Sequence, residues 1–322
     1  MGEVDIFFIV NAFLYGAYWR QVRKFKRRVG YYPNIAAPTK YHEMMFWRRI
    51  FDHNPLFVTF CDKLATKEYV KSIVPEAELP ETLWVGRDVG EIPESLRNSD
   101  AVLKANHGSS FNHFGGVGGR ESKELRRKTK EWLRTDYGRS KHEWGYFQAR
   151  RLLFLERCLQ CPDGEKLVDV SVRCSNGKAI LASAATDNKT AAKRFGYFDV
   201  DGNRCPHYET KESEDEKLPP DFVLPESFPL AVEWAKRLSV GVDYARYDFL
   251  CAGAMIYPGE ITVYPGAGLS SADEDGIDAL IVEEWDVGTS WFLRTSRSGW
   301  RKIYAQAVFE HFERRKRRVP AP

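Results

Sequence analysis

The clearest pattern in the chain is an alternation of apolar and polar positions over residues 245–264. Two strand-like runs, 245–250 and 255–264, flank a turn of small residues at 251–254, which is the pattern of a β-hairpin. Because successive side chains point to opposite faces of a strand, the polar positions of both runs are predicted to share one face. These positions are Arg246, Asp248, Glu260 and Thr262.

A face with one cation, two carboxylates and one hydroxyl allows two interpretations. Mg²⁺ prefers oxygen ligands and often takes one or two carboxylates together with phosphate oxygens, so Asp248 and Glu260 are candidate metal ligands. The alternative is a solvated sheet face on which opposite charges pair across the strands. The hairpin pattern by itself does not decide between them.

The N-terminal part combines an apolar run at 6–19 with six basic residues at 20–28. The fourteen residues of the apolar run are too few for an ordinary transmembrane helix, which needs about 20. Acidic rather than basic residues precede the run, unlike in a signal peptide. We favour a helix docked on the domain. The alternative is a helix lying on an anionic membrane surface, where apolar burial and the attraction of Lys and Arg add together.

The rest of the chain alternates between helical and strand patterns. Residues 41–64 are amphipathic, and their helix is predicted to continue through Ala65, Glu68 and Val70. A second hairpin is predicted around an Asn176-Gly177 turn. Short apolar runs predict strands at 83–85, 101–104 and 152–156. Helical spacing covers 122–137, 225–238 and 277–285.

The strand at 101–104 ends in Lys104 and leads into a Gly/Ser loop. A lysine supplies a point charge, and the N–H groups and hydroxyls of such a loop face an anion, which is typical of loops that cover nucleotide phosphates. The loop residues concerned are Gly108, Ser109 and Ser110. His107 and His113 are candidate contacts to phosphate or substrate, with a structural loop histidine as the alternative for each. Glycines at 115, 116, 118 and 119 predict a mobile lid.

Composition narrows the class of protein. The chain has 322 residues, of which 43% are hydrophobic and 29% charged, so it is globular rather than disordered. A net charge of +3 without a broad basic stripe does not indicate a nucleic-acid partner. The six cysteines include one C-x-x-C at 158–161 without a second such motif, so free thiols in a reducing cytoplasm are expected rather than a zinc site.

Several of these segments together resemble one superfamily. The series RxD at 246–248, GEIT at 259–262 and PG at 265–266 resembles the metal-binding hairpin of the ATP-grasp superfamily. Within it, the chain is similar to the TupA-like ATP-grasp proteins, which are associated with capsule and cell-wall polysaccharide synthesis. The resemblance runs from about Tyr41 to about Leu269.

The resemblance implies a metal site on the hairpin. In the superfamily an Asp and a Glu bridge one or two Mg²⁺ ions to the phosphates of ATP, which implies this role for Asp248 and Glu260, with Mn²⁺ as an alternative metal. A third ligand, often Asn, follows two residues after the Glu, and Thr262 stands at that place here. Arg246 is expected to stabilise charge on the transferring phosphoryl group.

The resemblance also implies nucleotide contacts. Lys63 follows an HNP motif at 53–55 and matches a lysine that reaches ATP phosphate, and Lys104 matches the second such lysine. The strand ending in Glu156 resembles the linker whose glutamate contacts adenine, with the backbone of Cys158 contributing. Asp169 is a further candidate for nucleotide binding, and it begins a strand motif in which Ser171 replaces the family's lysine. The catalytic candidates are Arg246, Lys104 and His107.

The expected fold is an α+β ATP-grasp fold, with two α+β lobes that hold the nucleotide between antiparallel sheets. The Rossmann-like domain that usually precedes this core is expected to be reduced. Three regions are predicted: an N-terminal basic and amphipathic segment at 1–40, the ATP-grasp-like domain at 41–270 with a lobe boundary near 156, and a helical extension with a basic tail at 271–322.

The function implied by the resemblance is an ATP- and Mg²⁺-dependent carboxylate–amine ligase that acts through an acyl phosphate. The expected partners are a small-molecule or glycan carboxylate and an amine donor, in polysaccharide biosynthesis. The expected location is the cytoplasm, with attachment of 6–28 to the inner membrane face as an open alternative. Two other functions stay open: a saccharide kinase, and a degenerate scaffold without activity, which the departures at Thr262 and Ser171 favour.

Overall fold

The computed structural model describes residues 3–115, 117, 122–161, 165–187, 190–209, 216–270 and 276–316. Within these ranges the strands form two antiparallel sheets, one of four strands and one of five. Helices cover the sheets and follow or precede them along the chain. The predicted α+β class is therefore confirmed.

The smaller sheet contains β1 (Thr82–Gly86), β2 (Ala101–Ala105), β3 (Asn112–Phe114) and β4 (Leu153–Arg157), in the order β1-β4-β2-β3. One face packs on α6 (Ser122–Arg134) and forms a small core of its own. Leu103, Leu155 and Trp132 belong to that core. The opposite face carries the polar members of the strands, because side chains alternate across a sheet.

The larger sheet follows β7-β6-β5-β8-β9. Its strands are β5 (Val168–Ser175), β6 (Lys178–Thr186), β7 (Arg194–Phe198), β8 (Ala245–Ala252) and β9 (Met255–Thr262). One face packs on α8 (Phe228–Leu238) through a continuous apolar core that includes Val170, Val172 and Phe249. The chain passes from the smaller to the larger sheet between Arg157 and Val168.

Both predicted hairpins are present. Asn176 and Gly177 form the turn between β5 and β6 with positive φ of 43° and 88°, as a two-residue hairpin turn requires. The hairpin of β8 and β9 turns at Gly253 and Ala254 only. The predicted turn at 251–254 was therefore two residues too long, because residues 251 and 252 still pair with β9.

The predicted continuous helix from residue 41 through Val70 is wrong. The structure has three helices instead: α3 (Tyr41–Phe51), α4 (Pro55–Cys61) and α5 (Lys63–Ile73). The side chain of Asn54 accepts from Leu56 N at 3.0 Å and starts α4, and that of Asp62 accepts from Ala65 N at 2.9 Å and starts α5. Side-chain capping of this kind stabilises a new helix start, and Pro is favoured at its first position.

Both ends of the chain pack on the same core. α1 (Glu3–Ala17) docks through Ile6, Val10 and Leu14, and α2 (Trp19–Val29) follows it after Tyr18. Three further helices join this core: α9 (Ile277–Glu284), α10 (Trp291–Arg294) and α11 (Trp300–Lys316). The interpretation of 6–19 as a helix docked on the domain agrees with this packing.

Some predicted features lie outside the described residues. They are the lid glycines 116, 118 and 119 and the end of the basic tail from 317 onward.

Candidate functional site

The polar face of the β8–β9 hairpin is built around a two-point ion pair. Arg246 Nε and Nη2 each lie 2.7 Å from one oxygen of Asp248, and Arg246 Nη2 lies 3.5 Å from the Thr262 hydroxyl. Arg246 is in register with Thr262 and Tyr247 with Ile261, and the register shifts only between Tyr247 and Phe249. Glu260 and Thr262 share a face because they are two positions apart in β9, as the alternation predicts.

Electrostatics support this arrangement. Burial lowers the pKa of the Arg246 guanidinium, but the Asp248 and Glu260 carboxylates outweigh it and the net pKa is raised. Charge neutralisation by two carboxylates thus holds Arg246 in a half-buried position that a lone cation would not favour.

Arg173 is a further cation on the same face, which the sequence analysis did not select. It lies in β5 directly opposite Arg246 of β8. Its Nη1 is 3.5 Å from the Ser183 hydroxyl, and its guanidinium lies 5.6 Å from the centre of the Tyr197 ring. In the part of the chain that the structure describes, it makes no ion pair with a carboxylate. The alternation of Asp169, Ser171 and Arg173 in β5 was the signal that would have identified it.

The smaller sheet contributes a second polar cluster. Glu156 is buried and binds two lysines: the Lys104 ammonium donates to Oε1, and Lys67 Nζ lies 2.5 Å from Oε2. Lys67 was not predicted. It lies one helical turn after Lys63 in α5, and this i,i+4 spacing was the available signal.

The backbone N–H of Cys158 is engaged within the protein. Its backbone N–H donates to the Asp100 carbonyl at 3.0 Å, so in this conformation that N–H is not available to a ligand. The turn after β4 uses this N–H, which leaves the Cys158 carbonyl as the backbone group for a ligand. The adenine contact of Glu156 and the backbone contribution of Cys158 stay predictions.

Lys63 starts α5 and reaches the Gly/Ser loop. Its ammonium donates to the Gly108 carbonyl, and its backbone N–H donates to the Asn106 carbonyl at 3.1 Å. Burial lowers the pKa of Lys63, the Glu260 carboxylate raises it, and Lys104 lowers it further. Lys63 is therefore within the electrostatic reach of both the hairpin and the smaller sheet.

The loop between β2 and β3 is held by Asn106, which was not predicted either. Its fully buried amide accepts from Leu64 N at 2.9 Å and donates to Arg150 O at 2.9 Å. The loop then turns through Gly108 at φ 78° and Ser110 at φ 64°, and both predicted serines are exposed. The loop is thus fixed at its start and open where the hydroxyls are.

His107 is buried rather than open to a ligand. One ring nitrogen lies 3.1 Å from the Trp132 carbonyl oxygen, and the ring packs edge-on against Phe111. Burial and the nearby Arg151 lower its pKa, so the neutral imidazole is favoured. These contacts support the structural alternative for His107, and its catalytic role stays a prediction.

The two clusters interact electrostatically through Lys63. The Glu260 charge acts on Lys63, and the Lys104 charge acts on both Lys63 and Lys67. Asp169 lies farther along the larger sheet, in register with Leu250. Together the two clusters combine several cations with the two carboxylates of the hairpin, an arrangement suited to a polyanion that carries a divalent metal.

Lysines on α5 and the smaller sheet, together with a hairpin of the larger sheet that bears an Arg and two carboxylates, form the arrangement of an ATP-grasp protein. A family model described as TupA-like ATPgrasp matches residues 43–285, which is more than half of the chain. The chain belongs to the TupA-like ATP-grasp family. The predicted resemblance and fold are confirmed, and the match extends past Leu269 to include α9.

Solved structures of ATP-grasp enzymes are similar to this chain at low identity. D-alanine–D-alanine ligase from Bacillus anthracis complexed with ATP is 12% identical, with 80% of this chain and 68% of that chain covered and a TM-score of 0.39. The ligase from Helicobacter pylori is 16% identical, with 79% and 70% covered and a TM-score of 0.40. An ADP complex of N5-carboxyaminoimidazole ribonucleotide synthetase is 11% identical, with 78% and 52% covered and a TM-score of 0.40. A search of curated proteins gives no match.

Proposed function

We propose that this protein is an ATP- and Mg²⁺-dependent ligase that activates a carboxylate as an acyl phosphate and joins it to an amine. The observation that carries the proposal is the electrostatic coupling of Lys63 with both Lys104 and Glu260, which links the lysines to the Arg246–Asp248–Glu260 face of the hairpin. The family and the ligases among the similar structures support this class of reaction.

Each residue has a distinct role in this proposal. Lys63 and Lys104 neutralise the phosphates of ATP, and the open loop with Ser109 and Ser110 covers them. Arg246 faces the charge that develops on the transferred phosphoryl group, where a preorganised cation contributes most. Arg173, beside Arg246, is a second cation for the phosphate or for the acceptor carboxylate.

The residues present fit a magnesium site. Asp248 and Glu260 supply two carboxylates, which is the number that Mg²⁺ commonly takes beside substrate phosphates. Each Asp248 oxygen that accepts from Arg246 retains a second lone pair. Within the described ranges no three His, Cys, Asp or Glu side chains converge as metal ligands, so the remaining ligands would be phosphate oxygens, water and the Thr262 hydroxyl. The ion would neutralise phosphate charge there.

The substrates are proposed from the family context. A sugar carboxylate or another glycan-linked carboxylate is the acceptor, and an amino acid or peptide supplies the amine. The glycan assignment rests on the resemblance to proteins of polysaccharide synthesis.

Calorimetry of ATP binding with Mg²⁺ tests the nucleotide site. We expect micromolar, Mg²⁺-dependent binding by the wild type, and its loss in Glu260→Gln, because the amide is a poor ligand for a hard cation. The control is Val240→Ser, which changes an exposed side chain outside the set of candidate site residues. This variant should bind ATP as the wild type does. A folded wild type that fails to bind ATP would overturn the proposal.

Product analysis in a single turnover separates ligation from phosphorylation of a sugar. A ligase forms a stable product only when carboxylate and amine are both present, and hydroxylamine traps its acyl phosphate as a hydroxamate. A kinase yields a stable phosphorylated sugar without an amine.

A degenerate scaffold is the second candidate, and one observation favours it. Arg246 donates a hydrogen bond to each oxygen of Asp248, and Thr262 stands where the family often has Asn. ATP binding that does not depend on Mg²⁺, together with no turnover on any amine and carboxylate pair, would support this candidate.

A further inference from the structure

The first helix of the chain has two apolar faces, and only one of them is covered. Ile6, Val10 and Leu14 are buried against the core. The residues of α1 that stay exposed after Ile6 are all apolar or small: Phe8, Ile9, Ala12, Phe13, Gly16 and Ala17. A helix on the surface of a soluble domain normally turns polar residues to water, so this exposed face requires a partner.

The exposure is large for such side chains. Phe8 is 74% exposed, Phe13 63% and Ile9 51%. The covered face of α1 also makes specific contacts. Asn11 accepts backbone hydrogen bonds from Ile35 at 3.0 Å and Ala36 at 3.2 Å. These bonds fix the rotation of α1, so the same apolar stripe always points outward.

The exposed residues of α2 have a different character. They are one tryptophan and five cations: Trp19, Arg20, Arg23, Lys26, Arg27 and Arg28. The guanidinium groups of Arg20 and Arg23 lie 5.3 Å and 5.9 Å from the centre of the Trp19 ring. The sequence from Ile6 to Val29 contains no acidic residue.

An apolar stripe, a half-exposed tryptophan and a row of cations are the three kinds of side chain that favour the successive layers of an anionic lipid surface. Apolar side chains enter the acyl region, tryptophan favours the interface, and Lys and Arg bind the headgroups. None of the described helices is both long and apolar enough to cross a membrane. The cations also argue against a second copy of the chain as the partner, because two such faces would repel each other.

We propose that the outer face of α1 and α2, defined by Phe8, Ile9, Phe13, Trp19 and the five cations, binds the surface of an anionic membrane. The helices lie in the plane of the interface and remain docked on the domain through Ile6, Val10 and Leu14. The surface is formed before binding, so little conformational entropy is lost on association. This inference does not depend on the proposed ligase activity.

The test is co-sedimentation of the full chain with vesicles. Wild type should bind vesicles of equal parts phosphatidylglycerol and phosphatidylcholine at least about tenfold more tightly than pure phosphatidylcholine, because several cations contribute. Phe8→Ser with Phe13→Ser should weaken binding to the anionic vesicles by about tenfold or more, since two exposed phenyl rings are removed. Arg20→Gln with Arg23→Gln should reduce the preference for anionic vesicles and its dependence on salt.

The matched control is Val223→Ser with Val240→Ser, which also replaces two exposed apolar side chains but on another part of the surface. This variant should bind vesicles as the wild type does. Sedimentation velocity without lipid provides the second readout. The proposal would be overturned if the wild type did not bind anionic vesicles. It would also be overturned if the wild type formed a dimer without binding vesicles and Phe8→Ser with Phe13→Ser dissociated that dimer. Equal binding by the wild type and the Phe8 and Phe13 variant would overturn it as well.

Discussion

The cations of the candidate site differ in whether a carboxylate already neutralises them. Lys67 and Lys104 share Glu156, and Arg246 is paired with Asp248 at both oxygens. Arg173 contacts the Ser183 hydroxyl and the face of Tyr197 and pairs with no carboxylate among the described residues, although it stands directly opposite Arg246. Like charges in this position destabilise a sheet, so an anionic ligand there would relieve the repulsion.

Replacement of Arg173 tests this assignment. Arg173→Met should weaken binding of Mg²⁺-ATP or of the acceptor carboxylate by roughly ten- to a hundredfold, because a charge-assisted hydrogen bond is lost. It should not lower, and is expected to raise slightly, the melting temperature. Arg194→Met on the same sheet is the control, since Arg194 is exposed and pairs with Thr186 at the far edge. Unchanged affinities for both ligands in Arg173→Met would refute the assignment.

The half-buried His53 makes stability depend on pH. Burial, with the nearby His142, lowers the pKa of His53 to about 4, and the ring stacks on Trp144 at 4.6 Å. Between pH 4 and pH 6.5, which are about the folded and the usual pKa of the ring, the unfolded chain binds a proton at His53 that the folded chain does not. The folded state is therefore most stable, as far as His53 is concerned, above pH 6.5, and it loses this stability as the pH falls toward 4. His53→Phe keeps the stacking and removes the titration.

The pH dependence assigned to His53 is checked by measuring the melting temperatures of the wild type and His53→Phe from pH 7.5 to pH 4. We expect the wild type to lose more stability than the variant over the acidic part of the range. Parallel curves would show that His53 does not contribute.

At the scale of elements, the helices α4 and α5 are separated by their caps. Asn54 and Asp62 each start a helix through a side-chain hydrogen bond, and Asp62 also binds Arg150 through two bonds of 2.7 and 2.8 Å. This break places Lys63 at the start of α5, beside the loop that Asn106 holds. A continuous helix would not place Lys63 at a helix start.

Removal of the two caps separates stability from function. Asn54→Ala should cost about 1 kcal/mol in the free energy of unfolding, because one cap is lost. Asp62→Ala should cost about 1–3 kcal/mol, because the buried Asp62 carboxylate also accepts from the backbone N–H of Arg150 at 3.1 Å. Only Asp62→Ala should weaken Mg²⁺-ATP binding, by several fold, because only α5 positions a candidate phosphate ligand. Urea unfolding and calorimetry measure the two quantities. Equal effects on binding would contradict a positioning role for Asp62.

At the scale of the whole molecule, α3 ties the hairpin to the rest of the fold through Arg48. This arginine is fully buried and donates to the carbonyls of Tyr244 at 2.7 Å and Val263 at 2.9 Å, just before β8 and just after β9. Its other nitrogen lies 2.8 Å from Asp243, which also accepts from the Trp285 indole at 2.7 Å. One side chain therefore fixes both ends of the hairpin that carries the carboxylates.

Loss of that anchor should destabilise the whole chain. Arg48→Met is expected to lower the free energy of unfolding by about 3–5 kcal/mol, because the Asp243 charge is left buried without its partner. Adding Asp243→Asn should restore part of the loss, while the two carbonyls remain without a donor. Urea denaturation measures both variants. A cost of less than about 1 kcal/mol for Arg48→Met would contradict this anchoring role of Arg48.

The sequence by itself determined the elements whose signal is local. Period-two alternation placed Arg246, Asp248 and Glu260 on one face, the Asn176-Gly177 pair specified its turn, and Lys104 with its Gly/Ser loop was recognised from adjacent residues. The helix caps at Asn54 and Asp62 were local signals as well. They were missed because the amphipathic pattern across 41–64 indicated one continuous helix.

The tertiary structure decided what depends on residues far apart in the chain. Glu156 meets Lys104 across 52 positions, and Arg48 meets the carbonyl of Tyr244 across 196, so no short-range pattern identifies either contact. Hydropathy also marked 6–19 as apolar without telling which residues dock and which stay exposed. That division depends on packing, because only a folded core with a defined surface can bury Ile6, Val10 and Leu14 while it leaves Phe8 and Phe13 outside.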